Sequence, residues 1–254
     1  MRRPGIPWLA GLYRRDDVEA DADRFPASLP FVRDLDLRFE RPVTFFVGEN
    51  GSGKSTLLEA LAQLADLPVA GGGRNELADR HAPHRESPLA PLLRASWVAK
   101  PREAYFFRAE NQAHFATLLE DRDADPDFRA WGDPYERYGG STLHGRSHGE
   151  AFLAMFGTWL NPGLVLMDEP EAALSPQRQL ALLLQMARLA KGGRAQFVIA
   201  THSPLFLTFP DAALLSFDGG RIQPTTLRDT SHWQITKGML DNPERTWRHL
   251  LAEE

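Results

Sequence analysis

Cysteine is absent from all 254 residues, which excludes disulfides, thiolate metal centres and thiol nucleophiles together. That absence fits a reducing compartment, and a cytoplasmic location is the expectation. Long apolar runs are missing too. No stretch of about 18 uncharged apolar residues occurs, so the sequence predicts no membrane-spanning helix and no direct insertion into a bilayer. The opening MRRPGIPWLAGLYRRDD places arginines ahead of an apolar stretch, but the stretch is short, contains Pro7 and lacks a small-residue cleavage site. It reads as mature sequence. Nor is there an excess of positive charge: the formal net charge is −5, so nucleic acid as a partner is not indicated globally and would need a local basic face. Lysine is scarce, with 4 Lys against 25 Arg, a skew that fits codon composition better than phosphate recognition. Hydrophobic residues, at 43%, supply ample core for one large or two small domains.

Along the chain, LDLRF (Leu35 to Phe39) alternates apolar and polar residues as a half-buried strand does, and RPVTFFVG continues as an apolar strand. A glycine-rich turn and the helix KSTLLEALAQLADL follow. From Pro68 to about Arg102 the chain is rich in Gly, Pro, His and Arg; ENQAHFATLLED then looks helical and DRDADPDFRAWGDPYERYGG looks like an acidic loop. Regular order returns with a helix after Ser147, the strand GLVLM, the helix PQRQLALLLQMARLAKGG, the strand QFVIA, the pair ALLSF and RIQPTTL joined by DGG, and a short amphipathic helix PERTWRHLLAEE. Strands alternating with helices predict an α/β fold with a mostly parallel sheet covered on both faces. No internal repeat and no coiled-coil heptad is visible.

GENGSGKST, spanning Gly48, Glu49, Asn50, Gly51, Ser52, Gly53, Lys54, Ser55 and Thr56, fits G-x-x-x-x-G-K-[ST] between an apolar strand and a helix, the context this phosphate-binding motif requires. Glycines free successive backbone N–H groups from side-chain clashes, and those groups wrap phosphate oxygens at the positive end of the next helix. Lys54 then reaches the β and γ phosphates, and the Ser55 hydroxyl binds Mg²⁺. An ordinary glycine-rich turn has no need of that lysine and serine. LVLMDEPEAALSP (Leu164 to Pro176) is a second apolar strand ending in two carboxylates, Asp168 and Glu169. Ligands of a parallel sheet lie at the carboxyl ends of the strands, so both should face the phosphate loop. Asp168 is the expected Mg²⁺ partner, through the ion's water shell, and Glu169 the group that orients the attacking water. The bland alternative is a cluster of acidic helix caps.

GRSHGEAF (Gly145 to Phe152) matches the G-x-S-x-G pattern of a hydrolase nucleophile elbow, which needs a buried strand before the serine and a helix after it. The helix is there; the preceding RYGGSTLHG has no apolar run for a strand. A plain helix N-cap is the bland alternative for Ser147. HAPH (His81, His84) offers two histidines with no third ligand, which reads as surface. The six tryptophans show no regular spacing and read as core and rim.

Taken in order, these motifs resemble the ABC-type ATPases of the P-loop NTPase (RecA-like) fold, and more closely the soluble branch shared with chromosome-maintenance, DNA-repair and OLD-type proteins, whose second carboxylate motif reads like DEPEAALSP. Transporters usually carry DEPTSALD there, so Glu171 and Ser175 depart from the transporter pattern. The resemblance covers most of residues 30 to 225. It implies a three-layer core with an N-terminal antiparallel β portion and a small helical subdomain between Walker A and signature. The corresponding boundaries are 1–67 for the β portion and phosphate loop, 68–146 for the inserted arm, 147–227 for the core carrying signature, Walker B and switch histidine, and 228–254 for a C-terminal helical tail. It also implies that SHGE, with Ser147, Gly149 and Glu150, is the signature that meets the γ-phosphate bound by a second subunit. His202 in THSP, 34 residues after Asp168, resembles the switch histidine that contacts the γ-phosphate. Ala172 to Pro176 takes the place of the dimer-contact loop. The Mg²⁺-sensing glutamine position falls on Glu110, Asn111 or Gln112, and Tyr13 and Phe25 are positional candidates for stacking on adenine.

The expected function is ATP binding and Mg²⁺-dependent hydrolysis in an ATP-stabilised, head-to-tail homodimer, acting as a soluble motor or switch on an unidentified effector protein. A non-hydrolysing, nucleotide-gated scaffold for DNA, RNA or protein is the alternative, and the energising subunit of a transporter is a third.

Overall fold

The computed structural model describes residues 8–74, 86–109, 124 and 163–252. Among the described residues ten strands form two sheets. The smaller one is antiparallel, ordered β2-β1-β5, from β1 (Leu9–Arg14), β2 (Asp36–Arg38) and β5 (Leu93–Trp97). The larger sheet is ordered β10-β9-β3-β8-β7-β6-β4, from β3 (Val43–Val47), β4 (Gly72–Gly73), β6 (Ala104–Arg108), β7 (Gly163–Asp168), β8 (Ala195–Ala200), β9 (Ala213–Ser216) and β10 (Gln223–Pro224). Its five inner strands are parallel, with an antiparallel strand added at each edge. This is the P-loop NTPase arrangement, and the mostly parallel sheet and N-terminal antiparallel portion match expectation.

Strands β3, β7 and β8 are buried at every position, which is why they read as continuous apolar runs rather than alternating ones. Alternation persists in direction. Phe46, Leu166 and Val198 face one core, with helix α1 (Lys54–Leu64) and the antiparallel sheet; Phe45, Val165, Phe197 and Ile199 face the other, with helix α2 (Pro176–Lys191). Fully burying one such phenylalanine contributes about 1.5–3 kcal/mol, so the pair at 45 and 46 pins β3 from both sides.

Part of the segment from 68 to 146 differs from its reading as an arm: its described residues supply β4, β5 and β6 to the two sheets. Short strands with a Pro-rich lead-in carry little periodicity, and pairing with β1 and β7 decides their conformation. The remainder of that segment, including Glu110, Asn111 and Gln112, and the signature residues Ser147, Gly149 and Glu150 lie outside the described residues. Beyond β10 the chain forms two helices, α3 (Ser231–Asp241) and α4 (Pro243–Ala252), of which only the second is legible as an apolar pattern. Among the described residues no helix is long and apolar enough to cross a membrane.

The two sheets are joined by Gln196, fully buried in β8. Its amide accepts from Leu9 N–H at 2.9 Å and donates to Leu9 C=O at 2.8 Å.

Candidate functional site

The order β3-β8-β7 places three strand ends side by side, and the phosphate loop, the switch segment and the carboxylate pair each follow one of them. After β3 the chain turns through Gly48, Gly51 and Gly53, all at positive φ. Gly53 is the N-cap of α1 at φ 95°, and a Cβ there would lie 2.6 Å from Phe31 Cε1, so only glycine fits against that ring. Phe31 packs edge-on to Phe217, which also lies against Phe46; this aromatic wedge supports the loop from below. Among the described residues no side chain caps α1, which leaves the first-turn N–H groups directed into the loop.

Lys54 is almost fully buried, and its Nζ donates to Gly48 C=O at 2.6 Å and Glu49 C=O at 2.9 Å. Burial lowers its pKa, opposed by the charges of Glu169, Asp168, Asp218 and Glu49. The loop's entry is held from the far side, where Glu49 N–H donates to Asp218 Oδ1 at 3.0 Å.

Ser55 Oγ donates to Asp168 Oδ1 at 2.9 Å, so the first turn of α1 meets the end of β7 as the two motifs predict. Asp168 is buried, and its Oδ2 lies 3.6 Å from Arg108 at the end of β6, whose guanidinium also donates to Glu59 Oε1 at 2.7 Å. Register explains the contact, since Arg108 stands directly beside Asp168 in the parallel ladder. The next residue, Glu169, has φ 49° and ψ 51°, a left-handed conformation that a non-glycine residue holds only where its surroundings enforce it. A bond from its N–H to Ala200 C=O, 3.0 Å, fixes it to the neighbouring strand end, and its carboxylate is about half exposed.

His202 follows β8. Its Nε2 lies 3.5 Å from Glu169 Oε1 and its Nδ1 lies 2.7 Å from Nε2 of His232 on α3. Burial lowers its pKa, helped by the charges of Lys54 and His232 and opposed by Glu169 and Glu49. Beneath it, Glu171 Oε1 accepts the backbone N–H groups of His202 and Ser203. Burial pushes the Glu171 carboxyl up, against those bonds. Glu171, the departure from the transporter pattern, thus ties the carboxylate segment to the switch segment.

The structure therefore brings together the loop 48–56, Asp168, Glu169 and His202. Of the two adenine candidates, Tyr13 lies across Gly11 on β1, where a Cβ at Gly11 would meet its hydroxyl at 2.3 Å, and Phe25 is 60% exposed between β1 and β2. Sequence reading missed Arg108, Glu171, Asp218 and His232 as site residues. Arg108 ends β6 and Asp218 lies two residues past β9, a signal available once those strands are recognised; His232 has no local signal at all.

The donor set suits a magnesium nucleotide. Glycine amides, an uncapped helix start and a buried lysine suit a polyphosphate, and one hydroxyl with one carboxylate suits Mg²⁺, which keeps most of its shell for water and phosphate oxygens. Among the described residues no cluster of three or more His, Cys, Asp or Glu could hold a metal by itself.

Comparison with known proteins agrees. Two family models match, "AAA domain, putative AbiEii toxin, Type IV TA system" over residues 150–208 and "AAA domain" over residues 28–74. The hemin import ATP-binding protein HmuV of Burkholderia thailandensis is 31% identical over 201 residues, 68% of this chain and 73% of that protein. The energy-coupling factor transporter ATP-binding protein EcfA2 of Leuconostoc mesenteroides is 27% identical over 223 residues, 78% of this chain and 73% of that one. A solved SmcHead bound to the C-winged helix domain of ScpA overlaps at a TM-score of 0.44 and 15% identity, over 87% of this chain and 99% of that one. With the phosphate loop, the carboxylate strand and the relatives in agreement, the chain belongs to the ABC-type P-loop ATPases and is an ATP-binding domain of that family.

Proposed function

We propose that this protein hydrolyses Mg-ATP in a head-to-tail homodimer and works as a switch or motor on another protein. The observation that carries the reading is the 2.9 Å contact between Ser55 and Asp168 beneath the loop that buries Lys54. It joins a cation, a hydroxyl and a carboxylate where a triphosphate tail and its metal ion would lie. Lys54 would exchange its bonds to Gly48 and Glu49 carbonyls for the β and γ phosphates. Ser55 and Asp168 would hold Mg²⁺, which supplies charge neutralisation at the phosphates. Glu169 would orient the attacking water from its half-exposed position, and His202 would present Nε2 to the γ-phosphate. Ser147, Gly149 and Glu150 of the second copy would complete the site, as the family resemblance implies.

Phosphate release by the wild type and by Glu169→Gln, with particle mass measured with and without ATP, tests the reading. Expected are slow Mg²⁺-dependent turnover in the wild type, turnover at least about tenfold lower in the variant, and an ATP-dependent dimer in both. Undiminished turnover in Glu169→Gln removes that carboxylate from its role. An ATP-dependent dimer without turnover in the wild type selects the nucleotide-gated scaffold instead. The names of the hemin import and energy-coupling factor transporter relatives favour a second reading, the energising subunit of a transporter, which co-purification with a membrane protein would support.

A further inference from the structure

The first turn of α3 reaches the site from a part of the chain that carries no motif. Thr230 caps this helix, accepting from Trp233 N–H at 3.3 Å and donating to Leu227 C=O at 2.7 Å, and it is buried. With the start of α3 held in this way, its first two residues touch two different parts of the nucleotide site. Ser231 Oγ lies 3.5 Å from Glu49 Oε1 in the phosphate loop, and His232 Nε2 lies 2.7 Å from His202 Nδ1. Beyond that turn the helical pair is largely exposed, including Ile235, Leu240 and Trp247.

Two imidazoles at 2.7 Å share one hydrogen, so one ring donates and the other accepts. If His202 donated from Nδ1, its neutral ring would turn the Nε2 lone pair toward the Glu169 carboxylate, 3.5 Å away, and toward any phosphate oxygen that took its place. That places electron pair against anion. If His232 donates from Nε2, His202 accepts at Nδ1 and carries its own hydrogen on Nε2, pointing at the anion. His202 Nε2 is fully buried with no hydrogen-bond partner among the described residues, so the atom aimed into the site is the one whose protonation matters. A doubly protonated His202 is opposed by burial and by Lys54.

We propose that His232 is a positioning residue of the ATP site: by donating from Nε2 to Nδ1 of His202 it fixes that ring as the Nε2–H donor toward the γ-phosphate and ties α3 to the nucleotide state. The proposal rests on the hydrolytic reading above. It assigns to the C-terminal helices a direct connection with the reaction that the motifs alone do not supply.

Ring ¹⁵N spectra of the full-length protein and steady-state ATPase kinetics of His232→Ala, His232→Gln, His202→Ala and the double alanine variant test it. The wild-type spectrum should show His202 protonated on Nε2 and unprotonated on Nδ1, with that preference lost in His232→Ala. The glutamine amide nitrogen can occupy the place of Nε2 and donate in the same direction. His232→Ala should therefore lower kcat by about tenfold or more, as misplaced site groups do, with KM for ATP changed less than about twofold. His232→Gln should recover most of the loss. The double variant should be no slower than His202→Ala, because residues acting as a unit are not additive. Protonation of His202 on Nδ1, equal losses in His232→Ala and His232→Gln, or additive losses in the double variant would each overturn the proposal. Absence of turnover in the wild type refutes the hydrolytic reading, whereas the ring spectrum still decides the tautomer.

Discussion

Gln196→Leu isolates the connection between the antiparallel and parallel sheets. The wild-type amide is fully buried and makes two bonds, at 2.9 and 2.8 Å, to the N–H and C=O of Leu9. Leucine has nearly the same volume, so packing changes little, but it leaves two backbone groups of a buried residue without partners. Each such loss costs about 1–3 kcal/mol; the apolar replacement offsets part of this, leaving a destabilisation of about 3 kcal/mol. For a chain of this size, that corresponds to a fall in melting temperature of roughly 6–12 °C. Thermal unfolding followed by far-UV circular dichroism, without nucleotide, measures it directly. Gln196→Glu sharpens the test. A carboxylate can accept from Leu9 N–H but opposes the Leu9 carbonyl, whereas the protonated acid restores both bonds. The deficit of that variant relative to wild type should therefore shrink as pH falls toward the carboxyl range. A fall of less than about 2 °C in Gln196→Leu would show that β1 is held by its strand partners alone.

Gly53→Ala should destabilise by more than Gly51→Ala. Both hold positive φ, a strain of about 1–3 kcal/mol for a side chain, but only at Gly53 would the new Cβ collide with Phe31, 2.6 Å away, while Gly51 has open space. Equal melting temperatures for the two variants would discount the aromatic wedge. The lowered pKa of His202, caused first by burial and then by the charges of Lys54 and His232 against Glu169 and Glu49, has a definite sign in stability. A depressed folded-state value means that the unfolded chain binds more protons just below the ordinary histidine range. His202 therefore contributes stability above about pH 6.5 that is lost as pH falls through its folded value. His202→Gln should flatten the stability profile in that window relative to wild type, and an unchanged slope in urea titrations from pH 7.5 to 5.5 would refute the assignment.

Motifs made of adjacent residues were legible without coordinates. The loop from Gly48 to Thr56 specifies its backbone through its own glycines, and the apolar runs of β3, β7 and β8 announce strands buried on both faces. Asp168 and Glu169 could be assigned to the loop because parallel strands end on the same side. The residues missed are those whose neighbours come from distant sequence. Arg108 meets Asp168 only through the β6–β7 register, and Asp218 meets Glu49 across 169 residues. β5, read as part of an arm, is a strand because β1 offers it an unpaired edge.

The sequence by itself determined the phosphate loop, the carboxylate strand and the family, because those features reside in local backbone geometry and side-chain chemistry. Only the tertiary structure decided that Gln196 joins the two sheets, that Glu171 holds the switch segment from beneath and that His232 contacts His202. Each of these is a polar contact between segments 30 to 187 residues apart, and no periodicity or spacing encodes which buried donor will meet which acceptor until the strands are packed.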